Sequence, residues 1–236
     1  MREKGSSFKN KKEPVLEIFE NLPSFSEIKH HLPLEIEKES MRIIKEELLQ
    51  NGISVAEENE KVILRCIHTS ADFDYAKNLV FSENAVAVFK KILHEEKPVI
   101  VTDTNMAFSG ISSAFCEKFG IEKFCFMSDE EVAACSKKTG LTRAACSVDK
   151  AARFFRDRKI VFAIGNAPTA LVRIRQLSDA GFLHPSFVVA SPVGFVNVIQ
   201  SKNLILQSGF DFIVASGRKG GSPIAAAIVN AVLYME

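Results

Sequence analysis

The sequence predicts an α/β fold: an open, mostly parallel sheet of five or six strands with helices on both faces. Three observations carry this prediction. Short β-branched or aromatic runs recur along the chain, the runs are apolar throughout rather than alternating, and helical stretches separate them. Strands buried on both faces read as continuous apolar runs, and a parallel crossover needs about a dozen residues or more, usually as a helix.

Residues 1–32 read as an N-terminal arm, polar at first and then carrying short apolar groups broken by Pro14, Pro23 and Pro33. From Leu34 to Gln50 the residues Leu34, Ile36, Met41, Ile44, Leu48 and Leu49 recur near helical spacing, and Gly52 supplies a C-cap. Strands are expected at Val62–Cys66, Val99–Thr102, Phe124–Met127, Ile160–Ile164, Phe187–Ala190 and Phe212–Ala215. Between them lie the helical segments Asn84–Glu95, Ala144–Arg156, Thr169–Ala180 and Ile224–Tyr234. With no internal repeat or low-complexity tract, residues 33–236 read as a single α/β domain.

Composition narrows the function classes. The chain has 236 residues and a net charge of +1, so no overall field draws it to nucleic acid or to an anionic membrane. Its five cysteines are scattered and odd in number, which suits reduced, buried thiols better than a disulfide framework or a zinc site, and no metal is expected. The basic N-terminus has no apolar stretch behind it, and Ile224–Met235 is too short to span a bilayer. A cytoplasmic protein is the expectation.

In an open α/β sheet, ligands bind beyond the carboxyl ends of the strands. Ile67-His68-Thr69-Ser70-Ala71-Asp72 follows the first expected strand, which itself holds Arg65. Asp103-Thr104-Asn105 follows the second, Gly165-Asn166-Ala167-Pro168 the fourth, Ser191-Pro192-Val193-Gly194 the fifth, and Gly217-Arg218-Lys219-Gly220-Gly221-Ser222 the sixth. Ser128-Asp129-Glu130, after the third, looks like a plain helix cap. The last loop reads either as a turn, with Ser222 as N-cap and Pro223 at the first helical position, or as an anion site. Two cations beside a helix N-terminus favour the anion reading. Asp103 reads as an N-cap, Arg143 as a surface charge and Ser40 as a mid-helix serine on the plain view of each. The loop spacing fits neither a P-loop nor a dinucleotide fingerprint, so no cofactor is expected. His68 alone among the histidines sits in the expected crevice, and a histidine titrates near neutrality, at about 6.5. One acid, several anion-binding loops and no nucleophile elbow suggest a proton-assisted rearrangement of a polyanion.

These segments also resemble a known family. RCIHTSADFDYA (65–76), TDTNMAFSGI (102–111), GLTRAA (140–145), AIGNAPTAL (163–171), ASPVGFVNVIQSK (190–202) and SGRKGGSPIAAAIVNA (216–231) are similar to the successive motifs of precorrin-8X and cobalt-precorrin-8 methylmutases. PLEIEKESMRII (33–44) resembles the N-terminal helix motif of that family. The resemblance implies an isomerase of cobalamin biosynthesis that moves a methyl group from C-11 to C-12 of a corrin precursor, a tetrapyrrole, without a cofactor. It implies His68 as the catalytic residue and proton donor. Substrate contacts are implied at Ser40, Arg65, Asp103, Thr142, Arg143, Gly217, Arg218, Lys219 and Gly220, and a homodimer as the assembly. Where relatives usually carry glycine after the histidine, this chain has Thr69-Ser70-Ala71, so a left-handed backbone there would strain Ser70 or Ala71. A protein that holds the corrinoid without turning it over, and an unrelated α/β enzyme for a phosphate or sugar acid, remain the alternatives.

Overall fold

A computed structural model of the chain describes residues 32–235. The arm expected at 1–32 lies outside the described residues except for Leu32. Two compact units divide between Lys38 and Glu39, and the second contains the whole sheet.

In chain order the elements are α1 (Pro33–Gln50), α2 (Glu57–Ser70), α3 (Tyr75–Asn78), β1 (Leu79–Phe81), α4 (Ala85–Glu95), β2 (Val99–Thr102), α5 (Asn105–Gly110) and α6 (Ser113–Phe119). They continue as β3 (Glu122–Cys125), α7 (Glu130–Thr139), α8 (Arg143–Phe154), β4 (Ile160–Ile164), α9 (Pro168–Asp179), β5 (Phe187–Ala190), α10 (Val198–Leu206), β6 (Phe212–Ala215) and α11 (Ser222–Leu233). The six strands lie in the order β1-β6-β5-β4-β2-β3. All neighbours pair in parallel except β1, which runs antiparallel on β6. The predicted class, a mostly parallel α/β sheet with helices on both faces, is the observed one.

Alternation along the strands divides the core into two layers. Ile100, Val161, Ala163, Phe187, Val189, Ile213 and Ala215 face one layer with α2, α4 and α11. Their neighbours Val99, Val101, Phe162, Ile164, Val188, Ala190 and Val214 face the other, with α8 and α9. Successive side chains of a strand point to opposite faces, so every central strand must be apolar at each position. That requirement is why β2, β4, β5 and β6 sit where the apolar runs place them.

The first expected strand is a correction. Val62–Cys66 belongs to helix α2, so His68 lies in that helix's last turn rather than beyond a strand, and Arg65 is helical too. Glu57, Glu58 and Glu60 occupy its first turn, where carboxylates favour the positive end of the helix dipole. Val62, Ile63, Leu64, Cys66 and Ile67 are all buried, because α2 is covered on more than one side. A short strand, β1, takes the sheet edge instead, and β3 begins two residues earlier than expected.

From β2 the chain passes to β3 on one side and returns to β4 on the other. The carboxyl ends of β2 and β4 therefore flank the topological switch point, where doubly wound sheets bind ligands. Helix α11 presses into this corner. A Cβ on Gly165 would lie 2.6 Å from Ser222 Cα and 2.8 Å from Ser222 N. Gly165→Ala is therefore expected to lower the unfolding free energy by about 2 kcal/mol or more, as overpacked substitutions do. Urea unfolding checks this, and an unchanged midpoint would contradict the close approach.

Candidate active site

The carboxylate of Asp103 occupies the switch point. Buried at 3% exposure, it follows β2 and reaches across to the loop after β4. One oxygen accepts from Gly165 N at 2.8 Å, and the other from Asn166 N at 2.8 Å and Ala167 N at 2.6 Å. These amides lead into α9, whose first N–H groups lack helical partners and whose dipole favours an anion. Burial pushes the Asp103 carboxyl up from its ordinary range, and the three N–H donations oppose that push. The helix cap assigned to Asp103 falls to Thr104, whose hydroxyl accepts from Ala107 N.

From Asp103 a chain of hydrogen bonds runs along the strand ends. Thr104 Oγ1 meets Ser222 Oγ at 2.7 Å, and Gly221 N donates to Ser191 O at 2.7 Å. Gly194 N donates to Arg218 O at 3.2 Å. Gly220, with φ +153°, lies so close to the β5 loop that a Cβ there would come within 2.1 Å of Ser191 O. Ser222 is the first residue of α11 and Gly221 its cap, one place earlier than the sequence suggested.

The two cations of this loop differ in availability. Lys219 Nζ donates to Asp72 at 2.7 Å and to Asp74 at 2.6 Å. That contact holds the Asp72 carboxyl below its usual range and joins the loop to the segment just after His68. Arg218 is exposed and lies over the Phe195 ring, 5.6 Å from its centroid. A third cation, which sequence reasoning missed, is buried beneath. Lys202 of α10, at 1% exposure, donates to Gly217 O at 2.9 Å and Lys219 O at 2.7 Å. A lone lysine in an Ser-Lys-Asn run gives no sign of burial.

His68 is exposed at the end of α2, and Ser40 Oγ lies 2.8 Å from its Nδ1. Ser40, a plain mid-helix serine by position, thus orients the ring and leaves Nε2 unbonded among the described residues. Thr142 caps α8 through Ala145 N and meets Thr169 Oγ1 at 2.7 Å, so the α8 and α9 N-termini are tied side by side. Arg143 is exposed beside it. Arg65 instead stacks on Tyr234, 5.1 Å from the ring centroid, at the opposite end of α11 from the glycine loop. Ser40 with His68, Asp103 with its loop, and Gly217–Gly220 with Asp72 are brought together, while Arg65 lies one helical turn before His68.

Cys135, Cys146 and Asp149 bring ligand-type atoms within 4.8 Å of one another, a grouping hidden by their spacing in sequence. Burial pushes the Cys146 thiol up to about 11, and Arg173 engages Asp149 at 2.6 Å.

The glycine expected after the histidine is replaced by a strained residue. Ala71 caps α2 with φ 52° and ψ 26°, and its N–H bonds Ile67 O at 2.7 Å. The left-handed region costs an L-residue roughly 1–2 kcal/mol, of which glycine's greater chain entropy offsets part. Ala71→Gly is expected to raise the unfolding free energy by about 0.5–1 kcal/mol. Thermal or urea denaturation measures it, and a less stable variant would contradict the strain.

A mostly parallel sheet whose strand-end loops gather backbone amides and cations, beside a helix that carries an oriented histidine, has the form of an α/β enzyme. The precorrin-8X methylmutase (CbiC) family model matches residues 35–235. The chain is 43% identical over 176 residues to the cobalt-precorrin-8 methylmutase of Salmonella typhimurium, covering 75% of this chain and 81% of that protein. It is 37% identical over 207 residues to the cobalt-precorrin-8 methylmutase of Leptospira interrogans, covering 85% and 93%. The crystal structure of the Thermus thermophilus precorrin-8x methyl mutase superposes with a TM-score of 0.76 at 31% identity, over 84% of this chain and 96% of that one. The chain belongs to the precorrin-8X methylmutase family and is an isomerase.

Proposed function

We propose that this enzyme moves a methyl group from C-11 to C-12 of precorrin-8X or cobalt-precorrin-8, with His68 as proton donor. The contact between Ser40 Oγ and His68 Nδ1 carries this reading. When the hydroxyl donates to Nδ1, the ring's proton sits on Nε2, the nitrogen with no protein partner among the described residues. Hydrogen bonding or proton transfer from Nε2 to a ring nitrogen or carbon of the macrocycle withdraws electron density. The bond from methyl to C-11 then breaks as the bond to C-12 forms, and the conjugated electrons redistribute. No atom is gained or lost, so the product is an isomer and neither a nucleophile nor a redox partner enters the balance. Any cobalt belongs to the substrate.

The substrate is a flat macrocycle fringed with acetate and propionate carboxylates. Helix N-termini and guanidinium groups suit such anions, and Thr142 and Arg143 supply them at the start of α8 and the Gly217–Gly220 loop at the end of β6. On this reading Asp103 acts on the substrate through the Gly165–Ala167 loop, its two oxygens being engaged by backbone amides. Exposed Val193, Phe195, Val196 and Ile199 form an apolar stretch beside Arg218 that suits a homodimer contact. The reduced cysteines suit a cytoplasmic setting, and no helix among the described residues is long and apolar enough to cross a membrane.

Incubation with metal-free and cobalt-bearing precorrin-8 side by side, followed by visible absorbance, tests the reading. His68→Ala is expected to lose about 10²–10⁴-fold in conversion rate, the usual worth of a general acid, while still binding the macrocycle. Conversion at the wild-type rate by that variant would remove His68 from the chemistry. Binding by the wild type with no conversion of either substrate would make the protein a corrinoid holder.

A further inference from the structure

Lys202 and Asp103 are the fully buried charged side chains among the described residues. Asp103 is satisfied by three amides, whereas Lys202 has two carbonyl oxygens and no carboxylate. Burying a charge is costly unless it is paired, and burial lowers the Lys202 ammonium to about 8. The carboxylates at this loop, Asp72 and Asp74, are engaged by Lys219 instead.

The loop's peptide geometry shows where an anion fits. Every peptide bond here is trans, so the C=O and N–H of one unit point in opposite directions. Gly217 C=O shares its unit with Arg218 N–H, and Lys219 C=O shares its unit with Gly220 N–H. Both carbonyls point at Lys202, so both N–H groups point away from it, out of the buried layer. Neither N–H bonds a protein acceptor among the described residues, while the next amide, Gly221 N–H, is used up on Ser191 O. Arg218 is exposed and Gly220 half-buried, so this side of the loop is open.

We infer that Lys202 tunes substrate binding at the Gly217–Gly221 loop: with a substrate carboxylate on the outward Arg218 and Gly220 N–H groups, Lys202 supplies the positive charge from beneath. Lys202 is a positioning residue. It fixes the direction of two peptide units, polarises them, and gains its countercharge only when the substrate carboxylate arrives. The steric demand at Gly220, where a Cβ would strike Ser191 O at 2.1 Å, holds the loop against the β5 turn in this register. The inference rests on the proposed corrin substrate and adds to it a buried residue, Lys202, that is not among the implied substrate contacts.

The test compares binding of hydrogenobyrinate with that of its fully methylated ester, by absorbance titration of the wild type and of Lys202→Met. The variant is expected to bind the free acid about tenfold to a hundredfold more weakly, the worth of charged hydrogen bonds, and the ester almost unchanged. Equal weakening for acid and ester would mean that Lys202 only props the loop, and no weakening would mean that it is idle; either overturns the inference. Should Lys202→Met fail to fold, the wild type itself gives the answer through pH. A bound anion favours the charged lysine, so affinity for the acid should be full below about 8 and decline above it, with the ester flat. The charged groups that face the loop above Lys202 are Arg218, Lys219, Asp72 and Asp74. Acid affinity that is constant with pH contradicts the inference. A wild type that binds neither acid nor ester would overturn the corrin reading as well, whereas tight acid binding with unchanged selectivity in the variant overturns this inference alone.

Discussion

The three amides that converge on the Asp103 carboxylate hold the crevice open at the point where the sheet changes winding direction. A carboxylate at a helix N-terminus is a common way to satisfy orphan donors. Here the acceptor comes from another strand, so it also sets the spacing between the ends of β2 and β4. Losing it would leave the buried Gly165 N–H without a partner, at about 1–3 kcal/mol, and release the more exposed Asn166 and Ala167 N–H groups to solvent. The neighbouring contacts build on that fixed corner. Thr104 reaches Ser222, α11 closes on Gly165, and the glycine loop is clamped against Ser191.

Along this edge, charges are sorted by whether the fold consumes them. Asp103 and Lys219 are absorbed internally, one by amides and one by a pair of aspartates. Arg143 and Arg218 stay exposed, and Lys202 sits beneath the loop without a carboxylate. On the proposed reading, this site meets an anion with backbone donors and a few well-placed cations, not with a strong surface field, in keeping with a net charge of only +1. The histidine comes from the other direction, on a helix packed over α11, and is aimed by a serine from α1. Loop and helix are joined by the bonds from Lys219 to Asp72 and Asp74, which tie the segment just after His68 to the glycine loop.

The four central strands were legible because burial on both faces forces unbroken apolar runs, and Val99–Thr102, Ile160–Ile164, Phe187–Ala190 and Phe212–Ala215 lie where those runs fall. The same signal misleads at Val62–Cys66. A helix covered on more than one side is also apolar without a break, and over five residues periodicity cannot separate the two. β1 escaped notice because three residues on an antiparallel edge leave almost no pattern. His68 was identified for a reason that the fold corrects: it lies at a helix end, not a strand end. The strand-end loops themselves were visible as glycine, proline and polar clusters. What composition could not reveal was which polar groups the protein keeps for itself. Asp103 reads as a cap, and Lys202 shows no sign of burial, until the tertiary contacts are known.

The account stands on the macrocycle lying over the strand ends, with its edge at His68 and a carboxylate at the glycine loop. A crystal structure of the His68→Asn variant with cobalt-precorrin-8 bound tests this most directly. The account predicts the ring within hydrogen-bonding reach of residue 68, and a peripheral carboxylate on the N–H groups of Arg218 and Gly220. A macrocycle bound elsewhere, such as the 770 Å³ cavity beside Phe182, Arg153 and Arg156, would contradict it.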